Sequence, residues 1–336
     1  METVTGAQRL FFQHIKNNLP AHLSFVDEIA EQLNISVDSA YRRIRGEKPI
    51  SFEEMRKLCT QYKISLDQFL HLQSDSFLFT GKLAHGTDNF FDEWMKDLLQ
   101  KLTFIKGFEK KHLYYLTKDI PFVSFFQVPE LATFKFFVWM KTFLHYEEMA
   151  GKKLSLKNSY AQLDEIRKKI VQIYNQIPST EIWNMESINT TILQIEFYRE
   201  ANMFESKDDA LILYNKLEDL ISHFEKQAET GKKFAIGESP RNDSPEYQMF
   251  HNELFIGDNT VVADMGVTKA SFLNHSVIHF VFTLDEKFCN YVHKAMLNMI
   301  KKSTQISTVG EKSRIRFFND LREKIAIRKD AIMHHL

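Results

Sequence analysis

The sequence predicts a mainly α-helical protein with a small antiparallel sheet near its C-terminal end. Three observations carry this. Residues 1–72 hold five short amphipathic stretches punctuated by cap residues. Residues 88–236 continue with longer segments of helical period, and residues 237–336 change to strict alternation before returning to helix. The expected layout is therefore a five-helix domain over 1–72, a linker over 73–87, a helical region over 88–236 and an α+β region over 237–336.

The first helix is expected over 6–18, with Leu10, Phe11 and Ile15 inward and Pro20 closing it. Ser24 caps the second, which turns Ile29, Ala30 and Leu33 inward, and Asn34 supplies the turn. Ser36 or Asp38 caps the third, with Ala40 or Tyr41 and Ile44 inward, and Gly46 ends it. Ser51 starts a fourth helix with Phe52, Met55, Leu58 and Cys59 on one stripe, and Ser65 caps a short fifth. The linker contains a short strand.

Helices are then expected over 89–106, across the Phe-rich run 131–144, and over 160–176, 181–201 and 207–230. The last two resemble one helical hairpin of the tetratricopeptide kind, but no period of about 34 residues repeats. From Gly237 onward, three or four antiparallel strands fit, with turns at Gly257-Asp258-Asn259 and near Gly266. A helix over 288–302, a short strand in Gln305–Thr308 and a closing helix over 312–326 complete the chain.

Composition narrows the function classes. The 336 residues are 44% hydrophobic and 26% charged, the balance of a globular protein. The formal net charge of −1 excludes a uniformly basic coat, so any nucleic-acid binding must rest on a local patch. Two cysteines, Cys59 and Cys289, make no disulfide framework and fit a reducing cytoplasm. The N-terminus lacks a signal-peptide pattern, and the most apolar window, 131–144, is too short to span a bilayer and carries Lys135 and Lys141. A cytoplasmic protein without a membrane partner is expected.

The segments EIAEQLNIS, SAYRRIRGEKPIS and EEMRKLCTQYKISLDQFL resemble the lambda-repressor-like, XRE-type helix-turn-helix domain. Ala30 stands where that family packs an Ala on the recognition helix. Gly46 follows the recognition helix, and Ser65, Leu66 and Asp67 open the last helix in the family manner. Val26 replaces the usual Gln, Asn34 replaces a frequent Gly, and the stretch from Asn34 to Pro49 is about one residue shorter than the family pattern. The resemblance covers about a fifth of the chain. It implies a sequence-specific transcriptional regulator that binds double-stranded DNA, with the third helix in the major groove.

On that helix and just after it, Ser36, Val37, Asp38, Ser39, Arg42, Arg43, Arg45 and Lys48 are the candidate DNA-binding residues. Ser36 and Ser39 suit phosphate or base edges, Val37 a thymine methyl, and Arg42 and Arg43 the strongest contacts. Asp38 is either a cap or an acceptor that holds Arg42. The plainer alternative is a solvated helix end whose cations complement the dipole. A homodimer is expected, because one such domain offers little contact and two-fold symmetry doubles it. Its surface would lie after about residue 85. The alternative is a protein-interaction or effector-binding module whose helix-turn-helix no longer reads DNA sequence.

Thirteen aromatic residues fall between Phe104 and Tyr146. They form either the core of the second region or a cavity for a small-molecule or peptide effector. His275 with His279, and Cys289 with His293, have the spacing of ligand pairs, yet no Cys-x-x-Cys or His-Glu-x-x-His accompanies them. The Gly-Lys-Lys runs at 151–153 and 231–233 lack the remainder of a phosphate loop. Glu147-Glu148 and Asp208-Asp209 fall at expected helix ends and read as solvated. No enzyme, metal or cofactor site is expected.

Overall fold

The computed structural model describes residues 4–17, 19, 24–62, 64–70, 77–81, 90–157, 160–254, 257–276 and 278–334. Pro20 and most of the expected linker lie outside these residues. The chain divides into two compact units, Met1–Leu78 and Phe79–Leu336.

The first unit has five helices: α1 (Val4–Asn17), α2 (Phe25–Leu33), α3 (Val37–Ile44), α4 (Phe52–Tyr62) and α5 (Leu66–Phe69). Phe11, Phe12, Ile15, Ile29, Leu33 and Leu58 meet in its core around two small residues, Ala30 and Ala40. Small side chains there let α2 and α3 approach closely. Asn34 adopts the left-handed conformation (φ 54°, ψ 53°) as the cap of α2. The Ile35 N–H then reaches back to the Ala30 carbonyl at 3.0 Å, which closes the turn. Two expected core residues face outward instead. Leu10 is 65% exposed and Phe52 78%, because Phe12 takes the inward place on α1 and Phe52 opens α4 ahead of its buried stripe.

The second unit begins with α6 (Phe90–Lys106), β1 (His112–Leu116), α7 (Phe122–Phe125) and α8 (Pro129–Val138). A π-helical turn at Trp139–Phe143 and a 3-10 turn at Glu147–Met149 follow. Next come α9 (Ala161–Tyr174), β2 (Ser179–Trp183), α10 (Asn189–Glu200), α11 (Asp209–Thr230), β3 (Tyr247–His251), β4 (Thr260–Asp264), β5 (Lys269–Asn274) and β6 (Phe280–Thr283). Then α12 (Glu286–Ile300), β7 (Thr304–Gln305) and α13 (Glu311–Met333) end the fold. No helix among the described residues is long and apolar enough to cross a membrane.

The small antiparallel sheet expected in 237–336 is overturned. One mixed sheet of seven strands, in the order β6-β5-β4-β1-β2-β3-β7, joins strands from both sides of residue 237. β1, β2 and β3 run parallel, while β4, β5, β6 and β7 pair antiparallel with their neighbours. The physical reason is burial. Every residue of β2 is buried, so the strand shows no two-residue alternation, and the span 181–201 reads as one helix although α10 starts only at Asn189. Parallel pairing needs long crossovers, which α7–α9 and α10–α11 supply.

Side chains of the sheet face two cores. One large cluster packs beneath α6, α8, α9, α11 and α13. On the other face Leu116, Ile182 and Val262 meet Met296 of α12. Glu181 of β2 faces the large core and is buried. Its carboxylate accepts hydrogen bonds from Trp183 Nε1 (2.7 Å), Tyr247 OH (2.8 Å) and Tyr174 OH (3.3 Å). Burial pushes its pKa above the ordinary value, against the pull of Lys233 and these three donors. At the margins of the sheet, β7 has only two residues, and Thr80 exchanges a pair of backbone hydrogen bonds with Phe282 of β6 (2.7 and 2.8 Å).

Two histidines, His223 buried and His112 half-buried, predict that stability depends on acid. Burial pushes His223 and His112 down to about 4. His223 Nε2 meets the Phe234 carbonyl at 3.0 Å, and His112 Nε2 meets Thr180 Oγ1 at 2.8 Å. Between about 4 and the ordinary value of 6.5 the unfolded chain binds more protons than the folded one, so stability falls as pH falls through that window. Urea unfolding of the full chain at stepped pH should show this loss. His223→Gln, whose amide can still donate to Phe234, should make the slope shallower.

Candidate nucleic-acid interface

α3 is placed by contacts at both ends. Ser36 caps it, its Oγ accepting from the Ser39 N–H at 3.3 Å. At its far end Gly46 takes a positive φ of 75°. Gln8 of α1, itself buried, donates from Nε2 to the carbonyls of Arg43 (2.7 Å) and Lys48 (2.8 Å) and accepts from the Ile50 N–H (3.0 Å). Arg9 Nε donates to the Arg45 carbonyl at 2.6 Å. Three hydrogen bonds from one amide fix the loop that carries Lys48.

Arg43 points inward, against its expected place among the DNA contacts. Its side chain is 7% exposed and forms a bidentate pair with Glu54, Nη2 to Oε1 at 2.6 Å and Nε to Oε2 at 3.1 Å. Nη1 adds a bond to the Ser39 carbonyl at 3.2 Å. Glu54 also accepts from the Ser51 N–H (2.9 Å), while its own N–H donates to Ser51 Oγ (3.2 Å). This reciprocal pair is a capping box at the start of α4. Burial alone would raise the Glu54 carboxyl; Arg43 and Ser51 hold it below the ordinary range.

What α3 presents outward follows from a turn of about 100° per residue. Val37, Asp38, Tyr41, Arg42 and Arg45 fall within an arc of about 140°, and all five are exposed. Tyr41 carries the Arg45 guanidinium over its ring, 5.4 Å from the centroid. Arg45 also lies 3.8 Å from Glu47, an exposed pair of little energetic weight. Ser36 and Lys48 are exposed, and Ser39 is half-buried at the edge of the arc. Seven of the eight expected contact residues therefore reach the surface, and Arg43 does not.

Three residues of this arrangement, Gln8, Arg9 and Glu54, escaped the sequence reading, and Tyr41, offered there as an inward alternative to Ala40, faces outward. A signal existed for Tyr41 and for Glu54. Ala40, Arg43 and Ile44 have the i, i+3, i+4 spacing of an inward face, which leaves Tyr41 outside, and Ser51-x-x-Glu54 is a capping-box pattern.

The other candidate sites resolve as follows. Phe125, Phe126, Phe134, Phe136, Phe137 and Trp139 are buried in the large core. A cavity of about 100 Å³ remains beneath α6, lined in part by Phe90, Trp94, Phe122 and Phe280, well below the size of ordinary ligand pockets. His275 and His279 lie in the turn between β5 and β6 rather than on a strand, with rings stacked at 5.6 Å. His293 lies against Tyr114 with ring centroids 4.6 Å apart and planes tilted by 56°, and Cys289 Sγ donates to the Thr283 carbonyl at 3.4 Å. Among the described residues no three His, Cys, Asp or Glu side chains group as metal ligands.

Glu54→Ala should lower the stability of the first unit by ~2 kcal/mol, because it strands the Arg43 charge and removes a cap. Arg42→Ala should stay within about 0.5 kcal/mol of the parent. Thermal unfolding of the two variants distinguishes the inward arginine from the outward one. In comparisons with known proteins, no family model, curated protein or solved structure matches the chain.

Proposed function

We propose that the chain is a cytoplasmic, sequence-specific DNA-binding transcriptional regulator of the XRE-type helix-turn-helix kind. One observation carries the proposal: α3 turns Tyr41, Arg42 and Arg45 outward on one arc while Arg43 and Gln8 anchor it from inside. A helix fixed in this way can lie in the major groove without losing side-chain order on binding. Ser36, Val37, Asp38 and Ser39 lead into the groove, with Val37 against a thymine methyl and the Ser36 hydroxyl toward phosphate. Arg42 is the candidate for a bidentate guanine contact. Arg45, Lys48 and Arg9 suit phosphates on either side. Arg43 is a positioning residue. The protein acts as a homodimer, which doubles this small contact area.

The rival, an interaction module that does not read sequence, has its own support. Residues 1–78 carry nine Lys and Arg against ten Asp and Glu. Asp27, Glu28 and Glu31 place acid along α2, and Val26 offers no polar side chain where the family has Gln.

Selection of bound duplexes from a random pool by the full chain should return a two-fold repeated motif with half-sites about one helical turn apart. Against that motif Arg42→Ala should cost on the order of 1–3 kcal/mol and relax one base position. Lys48→Ala should weaken all sequences alike and reduce the salt slope by about 1. Recovery of no motif, with weak binding at every sequence, would favour the interaction module. A single mass of one chain in light scattering, with and without DNA, would exclude the dimer.

A further inference from the structure

α12 covers the side of the sheet opposite the large core, and its apolar side is spent there. Cys289 and Met296 are buried, while Val292, Met299 and Ile300 pack with Leu116, Ile182 and Val262. Its outward side is basic. At a turn of about 100° per residue, Lys287, Lys294 and Lys301 fall within an arc of about 40°, each about 10 Å from the next along the axis. All three are exposed, as is Lys302 just beyond. Tyr291, 73% exposed, stands among them with the exposed Asn290 and Asn298.

The acids of this region are used elsewhere. Asp285 caps α12, its Oδ1 accepting from the Phe288 N–H at 2.8 Å. Glu286, the only acid within the helix, lies in the first turn, where it complements the dipole. Asp264, on the sheet beneath, pairs with Lys269 at 3.9 Å. Among the described residues no carboxylate pairs with any of the four ammonium groups. A solvated helix face ordinarily mixes the two signs at close spacing. That is the case on α13, where Arg316 lies 3.9 Å from Asp320. The α12 stripe carries one sign only.

Three evenly spaced cations over about 20 Å match an extended polyanion rather than a small anion. A membrane surface is the poorer match, because an interfacial helix holds on by burying its apolar side, and that of α12 is already against the sheet. Duplex DNA carries a charge about every 1.7 Å of its axis, and it is bound through Lys together with neutral donors such as Asn and Tyr. We propose that the outward face of α12 is a second, sequence-independent surface for the phosphate backbone of duplex DNA. Lys287, Lys294 and Lys301 pair with phosphates, and Tyr291, Asn290 and Asn298 donate hydrogen bonds to phosphate oxygens. The surface lies wholly on the second unit, so it goes beyond the α3 reading and does not depend on it.

Affinity of the full chain for a duplex of mixed sequence, measured from about 50 to 200 mM salt, tests this. The triple variant Lys287→Gln, Lys294→Gln, Lys301→Gln should reduce the slope of log affinity against log salt by about 2 to 3, since each phosphate neutralised contributes about 0.9. A control triple on the other side of the sheet, Lys168→Gln, Lys169→Gln, Lys207→Gln, should keep the parent's slope. Should the α12 triple fail to fold, Lys294→Gln alone should reduce the slope by about 1. The proposal is overturned if the α12 variants keep the parent's slope, if the control loses as much, or if the parent binds no duplex. It is equally overturned if poly-L-glutamate at equal charge displaces the duplex, or if the α12 triple loses binding to phosphatidylserine vesicles and not to duplex. Failure of the α3 reading shows separately, as the absence of a selected motif with the slope carried by α12 intact.

Discussion

A carboxylate cannot be buried in the middle of a sheet unless its neighbours answer it, and Glu181 sets that condition for the second unit. It sits on the strand whose every residue is covered. Its donors come from three elements: Trp183 on the same strand, Tyr247 on β3 and Tyr174 at the end of α9. Those bonds are satisfied only if β3 lies parallel beside β2 and α9 ends over the same face. Lys233, across the Tyr174 ring, adds the compensating charge from the loop that feeds β3. The parallel core and its helical crossovers thus share one electrostatic requirement.

In the first unit an ion pair performs the corresponding task with different consequences. Arg43 and Glu54 lock α3 to the start of α4, and the acid that receives the arginine is also the cap of that helix. One positive charge is thereby withdrawn from the outward arc. Of the four closely spaced cations three remain outward, Arg42 on the helix, Arg45 at its cap and Lys48 after it, with Arg9 of α1 exposed beside them. The formal net charge of −1 adds no long-range attraction for a polyanion beyond local sets of this kind.

The elements legible in the sequence were those with one wet and one dry face. α6, α9, α11 and α12 each show helical period because solvent covers one side, and the turn at Asn34 is marked by a residue that tolerates the left-handed conformation. β2 was invisible for the opposite reason: covered on both faces, it has no alternation, and its Glu181 looks like a solvated residue at the start of a helix. β1, at the centre of the sheet, does alternate half-buried and buried residues, but over five positions only, and was lost at the edge of the aromatic run. At the candidate interface the arginine cluster was legible as a cluster, but its division into one inward and two outward side chains was not. That division rests on Glu54, eleven positions away and on another helix, and on Gln8, far earlier in the chain.

The two margins of the sheet bear on how copies of the protein can meet. Along β6, Thr80 already occupies the backbone groups of Phe282, and a side chain at Gly81 would come within 2.8 Å of Val281 Cγ1, so only glycine allows so close a cover. Along β3 the last partner is a two-residue strand. Among the described residues neither side presents a long row of open amides and carbonyls, the template on which chains add strands to one another. Strand addition at these margins would first have to displace that cover, whereas contacts between side chains on helix surfaces would not. A sheet closed in this way leaves assembly to be specified rather than inherited from the backbone.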